Sequence, residues 1–359
     1  MTNPPPSGEP TGKTPSTAWG RFVAELRDAV SPRTVGLVAA VLAVQLGFVL
    51  SFIGAFHAPT PDRIPVAVVA PPPAAGKIVD QLNALPGAPL SARTAATDEQ
   101  ARALVLDRTV YAVLEVDARG TNDTLLVASA AGPAVSSAVQ QITQAVEDQQ
   151  HRQLTISDIR PPTEGDARGM SSFYLVMGWI VGGYLAAAIL AMSMGARPAN
   201  FHRTVVRLGV LGLYAAASGL GGALIADTLL GALPGHFAAL WALGTLVVFA
   251  AAAVTVALQI VLGLLGIGAA VTLFVVLGNP SAGGAYPGPL LPAFWQAIGQ
   301  WLPPGAATTA VRNTVYFSGH AVSQPLWVLA VYAAGGTVAA LTGSALHLRR
   351  SRRAVPAAA

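Results

Sequence analysis

Apolar positions fall along the chain in two regimes. In the first, they run on for twenty residues or more with almost no charge, about the length a helix needs to cross a bilayer core. Such runs cover 35–56, where only Gln45 and Ser51 are polar, then 172–195, 208–233 and about 326–347. The stretch 237–278 is uncharged over 42 residues and reads as two spans folded into a hairpin, with the bend at 255–259. Six spans result. The first has a core too long for a cleaved signal peptide and no small-x-small site after it, so it reads as a retained anchor.

The second regime is 57–170, where the periods are short. Ile64–Val69 alternates like a strand, and 75–85 has a helical period through Ile78, Leu82 and Leu85. Leu90–Thr94 reads as a short strand. Thr97-Asp98-Glu99-Gln100 is a capping box that opens a helix over 98–107. Strands follow at 110–116 and 124–128, with 117–123 as the turn between them; Asn122-Asp123-Thr124 fits a glycosylation sequon and reads as part of that turn. A helix over 133–152 starts with a proline, whose missing N–H costs little there, and 154–159 closes the unit as a strand. The order is βαβαββαβ, and a domain of this size can bury a core without disulfides.

Composition sharpens the picture. Of 359 residues, 53% are hydrophobic and 11% charged, and the mean hydropathy is +0.55. This excludes a disordered chain, a coiled coil and an ordinary cytosolic enzyme. There is no cysteine, hence no disulfide, thiolate ligand or thiol nucleophile. Lysine occurs only at Lys13 and Lys77 against 19 arginines, which with the Ala and Gly richness points to a bacterial, GC-rich source.

Charge sets the expected orientation. With the amino terminus cytoplasmic, six spans leave 1–34, 196–207 and 348–359 inside, holding eleven bases against three acids; 57–170 outside holds nine bases against thirteen acids. Basic loops face the cytoplasm, so both termini are expected there, in a bacterial cell membrane. The basic balance is then a topology signature. No basic stripe interleaves with aromatics, so no nucleic-acid partner is expected. The chain reads as a polytopic α-helical membrane protein with six transmembrane helices and one extracytoplasmic α/β domain between helices 1 and 2. Its parts are a Pro-rich tail and elbow helix (1–34), the first span (35–56), the outer domain (57–170), a five-helix membrane domain (171–348) and a basic tail (349–359).

Several residues carry candidate chemistry. Asp227 is the only acid after Asp166 and lies inside the third span, where an ionised carboxylate is costly. It is either a cavity or proton site, paired with Arg312, or a side chain that reaches the interface or forms a structural pair. Gln259 is a further polar candidate within the apolar 237–278. The segment 279–324 is broken by six prolines and carries one charge, Arg312. It reads as a pair of re-entrant helices over 294–301 and 305–317, or as an ordered outer loop. Trp19, Phe22, Val23 and Leu26 share one face over 18–30, either an amphipathic helix on the inner membrane surface or a plain lead-in to the first span. Ala39, Ala43, Gly47, Ser51 and Ala55 form a small-residue stripe suited to close helix packing. Gly8-Glu9-Pro10-Thr11-Gly12-Lys13-Thr14 is one residue short of a phosphate-binding loop and follows no strand. The six histidines have no metal-ligand spacing and no Gly-x-Ser-x-Gly elbow occurs, so neither an enzyme site nor a metal or other cofactor is expected.

One span, a large outer domain and five further spans resemble the ABC-2 type permeases, in particular the phage-infection-protein (Pip/YhgE-like) branch. The residues similar to that family are Thr97-Asp98-Glu99-Gln100-Ala101-Arg102-Ala103-Leu104, then Val110-Tyr111-Ala112-Val113-Leu114-Glu115-Val116. Asp117-Ala118-Arg119-Gly120 stands where the family has Pro-x-x-Phe. Phe173-Tyr174-Leu175-Val176-Met177-Gly178-Trp179 and Leu302-Pro303-Pro304-Gly305-Ala306 are also similar. The resemblance implies an export permease that forms a homo- or hetero-dimer in membrane lipid and borrows a separate ATP-binding subunit. Its elbow helix would be 18–30, and its coupling loop 197–207, with Arg197, Arg203 and Arg207. Two other classes stand beside it: an envelope scaffold or receptor whose outer domain binds a partner, and a proton-coupled transporter using Asp227.

Overall fold

The computed structural model describes residues 18–19, 22, 31–196 and 201–353. The chain divides into two units, 1–46 and 47–359. In the first, Trp19 and Phe22 are helical and exposed, with ring centroids 5.7 Å apart; Val23 and Leu26 of the expected elbow helix lie outside the described residues. Ser31 caps the first long helix, α1 (Pro32–Phe56), its hydroxyl accepting from the Thr34 N–H at 3.2 Å. Val38, Val41 and Leu42 of α1 are exposed, as befits a helix whose solvent is hydrocarbon.

The second unit begins within α1 and continues into an α/β domain. Its elements are β1 (Ile64–Val69), α2 (Pro72–Asn83), β2 (Leu90–Thr94), α3 (Asp98–Leu106), β3 (Ala112–Glu115), β4 (Asn122–Val127), α4 (Pro133–Gln149) and β5 (Gln153–Asp158). The order is the expected βαβαββαβ. Asn122 and Asp123 belong to β4 rather than to the turn before it, because Asp123 turns inward. The sheet order is β2-β1-β3-β4-β5, parallel except for the β3–β4 pair. The strand period of two divides its side chains between two cores. Ile64, Val66, Val68, Leu114, Leu125 and Val127 pack with residues of α2 and α4. Ala67, Val113 and Leu126 face the other way, into a core shared with α3 and with the apolar helices that follow. The domain is therefore seated on the helical part through one face of its sheet.

The helical part comprises α5 (Ser171–Met194), α6 (Phe201–Ala223), α7 (Phe237–Leu262), α8 (Leu265–Val271), α9 (Ala293–Gly299), α10 (Pro303–Tyr316) and α11 (Ser323–Arg353). α6 runs on through a π-helical turn, Leu224–Leu229, and α8 through another, Thr272–Leu277. Among the described residues, five helices are long and apolar enough to cross a membrane: Thr34–Phe56, Ser171–Met194, Phe201–Leu229, Phe237–Leu262 and Ser323–Leu346. Where the sixth span is expected, the chain forms a shorter apolar helix, Leu265–Leu277, about 20 Å long at 1.5 Å per residue.

The expected bend at 255–259 is displaced. The chain turns at Gly263, in the left-handed region at φ 66°. Thr255 satisfies its hydroxyl on the Ala251 carbonyl one turn back, and the Gln259 side chain is taken up by a neighbouring helix. The two polar side chains are satisfied, one within the helix and one between helices, and the helix passes through both positions unbroken.

α7 is the centre of the bundle, packed by α5, α6 and α11. Each approaches it through a glycine. A Cβ on Gly183 would meet the Val248 carbonyl oxygen at 2.5 Å, one on Gly219 the Thr245 nitrogen at 2.6 Å, and one on Gly336 the Val254 nitrogen at 2.7 Å. Backbone-to-backbone approach of this kind is how helices associate where burial from water offers no drive. The far half of the α1 small-residue stripe behaves similarly: Ser51 donates its hydroxyl to the Val276 carbonyl, and Ala55 is fully buried.

The proline-rich 279–324 is split between two tasks. Leu290 enters the outer core of the α/β domain, and Pro289 accepts a hydrogen bond from the Asp62 N–H. α10 is buried along most of its length and packs on α5, α7 and α11.

Candidate functional site

Two buried polar centres lie at opposite ends of the helical bundle. The one far from the α/β domain joins α5, α6 and α7. Arg207 of α6 donates from Nη2 to Gln259 Oε1 of α7 at 2.6 Å and to the Ala187 carbonyl of α5 at 2.8 Å. Its Nη1 reaches the Gly195 carbonyl at 3.4 Å, and Gln259 Nε2 donates to the Ala187 carbonyl at 3.3 Å. Arg207 is 2% exposed and Gln259 0%. Gly195 follows the last residue of α5, where carbonyls lack an intrahelical partner, so the guanidinium satisfies one of these and complements the helix dipole; the Ala187 carbonyl, about two turns further in, takes it as an additional donor.

This places two sequence candidates together and corrects one. Gln259 and Arg207 are partners. Arg207 is an internal strut and not a docking surface, because its guanidinium is turned inward onto two helices. Arg203, one turn earlier, is on the outside. With Ser193, Met194, Gly195, Val206 and Arg207 it lines a cavity of about 490 Å³. Arg197 lies outside the described residues.

The second centre is the seam between the α/β domain and the bundle. Asp166 accepts from the Ser171 N–H at 2.8 Å, capping the first turn of α5, and from the Tyr316 hydroxyl of α10 at 2.7 Å. Thr163 donates to the Ala232 carbonyl at 2.7 Å. Arg312 of α10 donates to the carbonyls of Ala131 (3.3 Å), Gly283 (3.2 Å) and Gly169 (3.5 Å). Arg108 reaches the same Ala131 carbonyl at 3.4 Å and lies over the Phe317 ring, 4.6 Å from its centroid. On the exposed rim, His320 and Asp107 are 2.7 Å apart.

The expected Asp227–Arg312 pair is not formed. Asp227 sits on the π-helical turn that ends α6, and its Oδ1 accepts from the Gly235 N–H at 3.0 Å, so it holds the turn into α7. Arg312 is taken by backbone carbonyls and faces Asp166. Asp166, Tyr316 and Arg108 escaped sequence reasoning because their contacts are long-range. The signal available was that Asp166 is the last acid before an apolar run, where an N-terminal helix cap belongs.

The motifs that carry the family resemblance serve packing. Pro303 and Pro304 fill the first turn of α10, where proline costs little, and a Cβ on Gly305 would strike the Gly299 carbonyl. Trp179 is buried against Gly222 and Gly244, bridging α5 to α6 and α7. Thr97 caps α3, accepting from the Gln100 N–H at 3.2 Å, while Gln100 returns a contact to the Ala96 N–H at 2.8 Å.

A third polar group lies within the α/β domain. Arg152 grips Asp123 bidentately, Nε to Oδ2 at 2.6 Å and Nη2 to Oδ1 at 2.5 Å, and donates to the Asp117 carbonyl at 2.9 Å. Glu147 is 3% exposed, and its Oε2 is 3.7 Å from Arg152 Nε. Burial, and then the charge of Asp123, push the Glu147 carboxyl up to about 7. Burial also works to raise Asp123, but Arg152, the Asp117 N–H and Glu147 outweigh it and hold Asp123 below its ordinary value.

Among the described residues no group of His, Asp and Glu is arranged to hold a metal ion. Comparison with family models, with curated proteins and with solved structures returns no match to this chain.

Proposed function

We infer that the chain is the membrane subunit of an ABC-2 type exporter, moving an amphiphile, lipid or peptide with energy from a separate ATP-binding subunit. The observation that carries this reading is the run α8–α9–α10. It is short and interrupted, carries a single charge, Arg312, and its last helix is buried among α5, α7 and α11. Broken helices at membrane depth are tolerated only against protein or a water-lined path, and transporters build their pathways from such pieces. In this reading both termini are cytoplasmic and the α/β domain is outside, because the basic excess lies on 1–34, 196–207 and 348–359. The short helix Leu265–Leu277 then completes the return that brings α11 back to the cytoplasmic face. Docking of the ATP-binding subunit falls to the exposed Arg203 beside the far-end cavity, and Arg207 holds that end together from within.

The test is co-purification from native membranes in mild detergent. An ATP-binding protein should accompany the wild type and be lost in Arg203→Glu, with the bundle still folded. Recovery of the chain without any ATP-binding protein would favour the scaffold or receptor reading. Sidedness is tested on the cysteine-free background. Lys77→Cys, exposed on α2, should label with an impermeant maleimide in intact cells. Ala199→Cys should not label, and the reverse pattern would invert the topology.

A further inference from the structure

We propose that the cleft between α2 and α4 of the α/β domain is a binding site for an amphipathic ammonium compound, an apolar stem ending in a protonated amine. The inference stands whether or not the chain exports anything.

The cleft has a volume of about 460 Å³, within the ordinary range of small-molecule sites. Its walls are mostly apolar, with Ile78 and Leu82 from α2, Leu114 from β3, Val116 just after it and Val146 from α4; Gln81 and Gln150 are the uncharged polar residues among them. One end is polar and carries Asp117, Asp123, Glu147 and Arg152. Three carboxyls against one guanidinium leave an excess of negative charge. Arg152 is already committed to Asp123 and the Asp117 carbonyl. Glu147 is the group least well matched: it is buried beside Asp123, and its Oε2 lies 3.7 Å from Arg152 Nε, within ion-pair range, but no donor hydrogen-bonds to that oxygen. An ionised carboxylate in that position is expensive unless something donates to it.

The chemistry of this carboxyl selects the ligand. An anion would meet three carboxyls and a guanidinium whose Nε and Nη2 are in use. A wholly apolar molecule would fill the cleft and leave Glu147 unmatched. An ammonium supplies both the missing donor and the missing charge, with its stem along Ile78, Leu82 and Leu114. The approach is of the same sign. A second groove of about 430 Å³ shares Pro71, Val116, Asp117 and Ala118 with the first and adds Asp98 and Glu115; Arg102, 3.9 Å from Glu115, offsets one of these charges, and no basic residue is in the lining itself. Glu147 lies beside Asp123, whose charge helps keep it partly protonated near neutrality, so binding of a cation releases that proton to solvent and leaves the carboxylate paired.

The experiment uses the full-length protein in detergent at about pH 8, where the amine is protonated and Glu147 is ionised in the larger part. The probe is hexylamine, with hexanol and hexanoate as controls of equal stem length. Hydrogen exchange of peptides from α2 and α4 is followed against probe concentration. Hexylamine should protect both helices saturably, and more strongly than either control. Glu147→Gln keeps a donor towards Asp123 but removes the charge, and should weaken hexylamine by about tenfold, the size of one charge-assisted hydrogen bond. Ile78→Trp, which fills the cleft, should abolish the effect. Equal protection by hexanol would reduce the cleft to an apolar cavity and overturn the proposal. Preference for hexanoate would assign it to Arg152 and also overturn it, as would no protection by any probe at millimolar concentration. If Glu147→Gln fails to fold, the comparison of the three probes on the wild type still decides.

Discussion

Replacing Glu147 by glutamine should stabilise the α/β domain above neutrality and do little in mild acid. In the fold the carboxyl is held at about 7, against 4.5 in an open chain. The folded state therefore keeps a proton that the unfolded chain has lost. Its contribution to stability falls as pH rises through 4.5 towards 7 and is level above that. A gap of about 2.5 pH units corresponds to about 3 kcal/mol for a group shut off from water. Arg152, the neighbouring charge, is 21% exposed, so solvent screens part of this, and about 2 kcal/mol is the working figure between pH 5 and pH 8. Asp123, held low, ionises below that window. Glu115, which burial and then Asp98 push up, slopes the same way but is common to both proteins and cancels. All six tryptophans lie outside the domain, so indole fluorescence is blind to it. The suitable assay is hydrogen exchange of peptides from α4 and β4, taken as the ratio of Glu147→Gln to wild type at each pH so that intrinsic exchange drops out. The ratio of protection should be within about fourfold of unity near pH 5 and about 30-fold in favour of glutamine near pH 8. A ratio flat with pH, or one that falls as pH rises, would refute the argument.

Other consequences are open to measurement. Gln259→Leu leaves Arg207 buried with its strongest donor unmatched and should cost about 2 kcal/mol in thermal unfolding followed by indole fluorescence. Adding Arg207→Met should recover part of that loss, and strict additivity of the two changes would show that they do not interact. Gly219→Ala places a methyl 2.6 Å from the Thr245 nitrogen and 2.7 Å from the Trp241 carbonyl, and should lower stability by about 1–3 kcal/mol. Gly178→Ala on α5 meets nothing within 4 Å and should be neutral or mildly stabilising in the same assay. Tyr316→Phe removes one donor to Asp166 and should raise exchange in the first turn of α5 by about tenfold; unchanged exchange would detach Tyr316 from that cap.

What was legible in the sequence was whatever is written in local periodicity. Alternation at Ile64–Val69, the cap at Thr97, and proline at the start of α4 each reflect forces acting within a few residues, and the α/β domain follows in order. The long apolar helices were legible for the same reason, since their length answers to a fixed thickness of hydrocarbon. What failed was inference from isolated polar residues in apolar surroundings. Thr255 and Gln259 looked like a bend because a span disfavours polarity, yet one is satisfied within its own helix and the other by Arg207, 52 positions away in the chain. Asp227 and Arg312 were matched by charge, but each found backbone groups instead. The Glu147 cleft was invisible because its three carboxyls and one guanidinium come from the β3–β4 turn, β4, α4 and the turn after it, and meet only when the sheet is assembled.

Asp166 has a mechanical consequence. It belongs to the segment leaving the sheet, yet one oxygen holds the first turn of α5 and the other holds α10 through Tyr316. The junction is thus a clamp where a slack hinge would otherwise be. A load applied to the sheet, by a bound molecule or a neighbouring protein, passes into two helices at once, at the points where α5 begins and α10 ends. A displacement of the strand-bearing head would therefore act on α5 and α10 together through this one side chain.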